Sequence, residues 1–167
     1  MTHGTQGHTP NDVFKSGIDI VKLTITDKII GVYQASIQLL TNICFNGTNL
    51  RFSQSETQEL KLSGEQILTT LIDKLGDNLL KVRKNSDEAI IAMCMNQTFG
   101  FRICVLALTK QVRKDPTNTK KTVNSNKLLV GRYQCLYRIL SESNQLIEPS
   151  LYEVALSFSV IGVQHAL

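Results

Sequence analysis

The side chains with most chemical potential in this 167-residue chain stand at three polar turns. Lys28, Ile29 and Ile30 mark the first, Asn78, Lys81, Arg83 and Lys84 the second, and Asn124, Asn126 and Lys127 the third. Ammonium and guanidinium groups at this density offer charge-assisted hydrogen bonds to carboxylates on a flat protein partner. An isoleucine pointing outward beside them would add an apolar anchor. Catalysis asks for other equipment. Asp73 and Asp77 lie four residues apart, but no histidine or further acid stands ready to complete a site, and His165 has no recognisable companion. Gly76 and Gly100 are isolated, so neither belongs to a phosphate-cradling loop. The expectation is a binding protein that is not an enzyme and needs no cofactor.

Cys44, Cys94, Cys104 and Cys135 each sit inside an apolar run without a Cys-x-x-Cys pairing, which predicts buried free thiols and no metal site. The sequons that begin at Asn46 and Asn96 then mark polar turns. No stretch reaches the ~18 apolar residues of a bilayer span. The chain also starts without an apolar run of signal-peptide type, so a cytoplasmic protein is expected. The formal net charge of +4 is unevenly spread. Residues 101–140 hold nine basic side chains, Arg102, Lys110, Arg113, Lys114, Lys120, Lys121, Lys127, Arg132 and Arg138, against the single acid Asp115. That concentration favours an acidic partner for this part of the chain.

A recurring spacing supplies the elements that would position the turns. Asp27, Asp77 and Ser125 each stand five residues before a valine, and those valines, Val32, Val82 and Val130, are 50 and 48 residues apart. A period of this length predicts stacked helical hairpins. After a polar leader over residues 1–10, the domain runs over 11–167. Helical periodicity places Val13, Phe14, Ile18, Val21 and Ile25 on one face, and Val32, Tyr33, Ile37, Leu40 and Cys44 on the next. Residues 46–61 are Gly-, Asn-, Ser- and Gln-rich and read as a loose connection, with Ser63 as a helix cap. The second hairpin follows, with Ile67, Leu68, Leu71, Ile72 and Leu75 before the turn and Val82, Ser86, Ala89, Ile90 and Met93 after it. Residues 99–108 could be a strand, although the flanking periodicities favour a buried helix. Leu129, Tyr133, Leu136, Tyr137 and Leu140 define the next stripe. Pro149 sits at the first turn of a last helix with Val154, Phe158 and Ile161 on its apolar face. The expected fold is all-α, an α-solenoid of about three HEAT-like hairpins plus one further helix, monomeric, with its turns aligned along one edge.

Several residues carry two readings. Asp77 either caps the following helix or pairs with Arg83, and Arg83 either braces an adjacent repeat or meets a partner. Lys81 and Lys84 have less architectural reason for their positions and are better contact candidates.

The turn Leu75-Gly76-Asp77-Asn78-x-x-Lys81-Val82-Arg83 resembles the intra-repeat turn of HEAT repeats, particularly those of TOG domains. Residues 26–40, 76–92 and 148–164 together resemble the TOG domain of a ciliary-tip member of that family and place residues 14–164 in register with its middle. The resemblance implies an arched HEAT array that binds αβ-tubulin or microtubule ends through its intra-repeat turns. It also implies a place in the cytoskeleton, at a cilium tip, basal body or centriole. The chain has fewer hairpins than a full TOG domain, and it contains no Trp, which many TOG domains use in their first turn.

Two other binding classes compete. A protein-interaction adaptor could use the same HEAT surface. A nucleic-acid-binding module could track phosphates with the basic region and stack a base on Tyr133 or Tyr137, although both tyrosines fall on the apolar stripe. Neither reading involves a membrane.

Overall fold

A computed structural model describes residues 8–110, 125–142 and 148–166. Among them the only regular structure is helical: α1 Pro10–Thr24, α2 Ile30–Asn46, α3 Gln54–Lys74, α4 Leu80–Met95, α5 Gly100–Thr109, α6 Ser125–Glu142 and α7 Pro149–Ala166. The protein is all-α over these residues.

Local chemistry sets the helix starts. Thr9 accepts from the Asp12 N–H while the Asp12 carboxylate returns to the Thr9 N–H, and Pro10 opens α1, where no N–H is missed. Ser53 and Glu56 form the same reciprocal box at α3. This corrects the expected loose connection. α3 begins at Gln54, so Ser63 lies inside a helix and caps nothing. The polar composition of residues 54–61 is the solvent face of two helical turns, while Leu60 and Gly64 continue the buried stripe of Ile67, Leu68 and Leu71. Residues 99–108 are helical, and Pro149 opens α7.

The helices pack in two rows. α1, α3, α5 and α7 follow one another in the first, α2, α4 and α6 in the second, and α1–α2, α3–α4 and α5–α6 pair across the rows. Such packing is compatible with an α-solenoid. Ile18, Leu40, Leu68, Leu71, Ile90, Met93, Leu108 and Ile139 carry one hydrophobic core through both rows. Burying each such side chain contributes roughly 1.5–3 kcal/mol.

Buried polar groups tie neighbouring pairs together. The Tyr33 hydroxyl and Ser86 Oγ are 2.6 Å apart between α2 and α4, and Asn96 Nδ2 donates to the Cys44 carbonyl at 2.9 Å. Asn96 is itself buried, with its Oδ1 accepting from the Thr98 N–H, so its sequon is a structural turn. Arg132 of α6 is buried and donates to the Leu108 and Lys110 carbonyls at 2.7 and 2.5 Å. It thereby satisfies carbonyls left open at the end of α5, where the helix has no further N–H to offer. Its guanidinium lies 4.9 Å from the Phe158 ring centroid of α7.

The stripe expected of α6 requires correction. Val130 is 52% exposed and Tyr137 72% exposed, so neither is core. The buried positions Arg132, Cys135, Leu136 and Ile139 fall 46 residues after Ser86, Ala89, Ile90 and Met93. The valine at position 130 is therefore not the structural equivalent of Val82, because neighbours and not residue type choose the buried face. Val13 and Val154 are likewise exposed, while Phe14, Ala155 and Phe158 face inward.

Candidate partner-binding ridge at the helix turns

Two turns separated by 50 residues are built alike. In residues 25–29 the Asp27 N–H donates to the Thr24 carbonyl at 3.1 Å, and Asp27 Oδ1 accepts from the Ile29 N–H at 2.7 Å. In residues 75–79 the Asp77 N–H donates to the Lys74 carbonyl at 3.1 Å, and Asp77 Oδ1 accepts from the Leu79 N–H at 3.0 Å. An aspartate that bonds the backbone two residues on makes a turn of its own and suits this place between helices. Each carboxylate holds the next residues extended until the helix starts, which turns Ile29 and Ile30, and equally Leu79 and Leu80, out to solvent.

Asp77 is therefore a turn lock. Lys74 Nζ lies 3.4 Å from its other oxygen. Arg83 does not pair with the carboxylate. Its Nη1 donates to the Asp77 and Asn78 carbonyls at 2.6 and 3.2 Å, so it braces its own turn and not an adjacent repeat. Lys28, Lys81 and Lys84 are exposed and form no ion pair among the described residues.

Contacts between helices bring the turns toward one another. Lys74 Nζ sits 5.6 Å from the Tyr33 ring centroid, which sets the start of α2 beside the second turn. Lys127 Nζ donates to Asn78 Oδ1 at 3.0 Å, which sets the start of α6 beside it as well. α2 and α6 both pack on α4 and not on each other, so the second turn lies between them. The approach of α6 is close. A Cβ on Gly131 would stand 2.6 Å from the Leu75 carbonyl oxygen, and one on Gly76 would stand 2.9 Å from Leu128 Cβ. Asn126 is exposed at the start of α6, and Asn124 lies outside the described residues.

Sequence reasoning missed Leu79 and Leu80. The signal was available, since they stand 50 residues after Ile29 and Ile30, but an apolar pair at a helix start reads as core. It also missed a trough of about 500 Å³ between α4 and α6, lined by Leu80, Arg83, Lys84, Gln134, Tyr137 and Arg138.

Burial governs the titratable groups of the interior. It pushes the Cys44 thiol up to about 12 and the Tyr33 phenol up to about 12, and it raises Cys135 well above the usual thiol range, while the hydrogen bond with Cys94, and then burial, does the same for Cys104. All four cysteines are buried and unpaired. Part of the basic surplus has structural employment. Arg132 is buried, Arg138 pairs with Asp87 and Glu142, and Arg102 pairs with Glu148. Arg113, Lys114, Lys120 and Lys121 lie outside the described residues.

Among the described residues no group of His, Cys, Asp and Glu could hold a metal ion, and no helix is long and apolar enough to cross a membrane. Comparison with protein-family models, curated proteins and solved structures finds no match.

Proposed function

We propose that this chain is a non-catalytic binding module, an α-solenoid of three HEAT-like hairpins and one further helix, that grips αβ-tubulin or microtubule ends through its turn ridge. The observation that carries the reading is the repeated turn: the same aspartate lock, the same exposed aliphatic pair and nearby exposed lysines, presented twice at a 50-residue spacing. Two copies of one presentation device fit a surface that a partner reads several times over. The Lys127–Asn78 hydrogen bond supports extending the ridge to the start of α6. The resemblance to TOG domains, among them that of the centrosomal protein of 104 kDa, suggests tubulin as the partner and the cytoskeleton, cilium tip or basal body as the setting.

Reversing charge together at Lys81→Glu and Lys84→Glu tests the ridge. Both side chains are exposed, so helical content and thermal midpoint stay near wild type. Sedimentation with tubulin is expected to show binding weakened by at least about tenfold. Equal binding by wild type and variant would remove the second turn from the proposed site. Absence of tubulin binding by the wild type would favour an adaptor for another protein, a reading that the exposed Ile29, Ile30, Leu79 and Leu80 support by themselves.

A further inference from the structure

Beside the ridge, α4 and α6 enclose a trough whose chemistry changes along its length. A second hollow of about 480 Å³, lined by Asn78, Asn126, Lys127 and Val130, shares Arg83, Gly131 and Gln134 with the first. Sharing these residues, the two hollows lie side by side between the start of α6 and Tyr137. Their α6 wall presents Val130, Gln134 and Tyr137 at helical spacing, and their α4 wall presents Leu80, Lys84 and Glu88. Tyr137 is 72% exposed, whereas Tyr133 on the same helix is engaged with Phe158, its hydroxyl donating to the Phe158 carbonyl at 2.7 Å.

The charges are arranged by position. At the turn end Arg83 donates to backbone carbonyls and Lys127 to Asn78, and neither they nor Lys84 form an ion pair among the described residues. At the far end Asp87 is neutralised by Arg138, which also binds Glu142, and Glu88 adds a negative charge that forms no ion pair among the described residues. Leu80 to Glu88 spans ~12 Å of helix, which matches about four residues of extended chain.

We propose that this trough takes a short extended segment of a partner protein, with acidic residues over Arg83 and Lys84 and an aliphatic or aromatic residue between Val130 and Tyr137. A nucleic acid fits less well, because evenly spaced phosphates would be carried onto the Glu88 carboxylate. The trough shares Arg83, Lys84 and Lys127 with the ridge, but the inference does not need tubulin, since it follows from the trough whichever protein carries the segment.

Fluorescence anisotropy with the whole chain tests it. The probes are labelled Glu-Glu-Leu-Phe-Gly, its Lys-Lys-Leu-Phe-Gly and Glu-Glu-Ser-Ser-Gly counterparts, and a labelled oligothymidylate. The first peptide is expected to bind best, and Tyr137→Ser or Val130→Ser to weaken it at least about fivefold, while Ile29→Ser leaves it unchanged. Equal binding of the counterpart peptides, or indifference to Tyr137→Ser, would overturn the proposal. Tighter, Tyr137-dependent binding of the oligothymidylate would overturn it in favour of nucleic acid. A chain that binds the peptide through Tyr137 yet ignores tubulin retains this inference and loses the ridge reading, and the reverse pattern loses this one.

Discussion

Single residues define where this chain is held and where it is left open. Lys15 Nζ and Glu56 Oε1 are 2.6 Å apart and join the second turn of α1 to the first turn of α3. The hydrogen bond from Lys15, followed by those from the Ser53 backbone and hydroxyl, lowers the Glu56 carboxyl from 4.5 to about 2. A carboxyl held low in the folded state stabilises it fully above its unfolded value, and that contribution fades as pH falls through the folded one. Glu56→Gln is therefore expected to lower the urea midpoint near neutrality, with the gap to wild type closing between pH 4.5 and about 2. A gap independent of pH would mean that the ion pair is not what the mutation removes. Both acids of the repeated turns, Asp27 and Asp77, spend a carboxylate oxygen on the backbone, and Asp77 gives its other oxygen to Lys74, while Lys28, Lys81 and Lys84 form no ion pair among the described residues.

At the scale of elements, the docking of α6 decides whether the second turn and the trough exist in their present form. Gly131 lets α6 approach the Leu75 carbonyl more closely than any side chain would permit. Gly131→Ala is expected to destabilise the protein by about 1–3 kcal/mol, the usual cost of overpacking against backbone. Gly31 offers the control, because a Cβ there meets nothing within 4 Å. Gly31→Ala should be neutral or stabilising by up to about 1 kcal/mol. Urea midpoints measure both, and equal effects would show that α6 is not held at this contact. The capping box at Ser53 and Glu56 belongs to the same scale. It was legible as Ser-x-x-Glu, yet the surrounding Gln, Ser and Thr read as loop, since composition cannot distinguish a solvated helix face from a connection.

For the whole molecule, the two rows share one core, and the thiols report on it. Cys44, Cys94, Cys104 and Cys135 come from four helices and are all buried, and the nucleophilic thiolate is disfavoured at Cys44, Cys104 and Cys135. A maleimide is expected to label none of them in the native chain and all four in denaturant. Leu71→Asp, which places an unpaired charge on the buried face of α3, should raise the labelling rate of all four together. One thiol reacting far ahead of the others in the wild type would mean that the core does not open as a unit.

Periodicity by itself determined the helical class, the faces of α3 and α4, and the equivalence of the turns at Asp27 and Asp77, because a helix with one buried face must repeat its apolar residues locally. The outward face of α6 lay beyond it. Val130 and Tyr137 fit an apolar stripe as well as Leu136 does, and only the packing of Gly131 on Leu75 and of Arg132 on the end of α5 rotates them into solvent. The turns were readable for the same local reason, whereas the trough required two helices brought together from distant parts of the chain. Which side of a helix is buried depends on what it meets, and that partner is a tertiary fact.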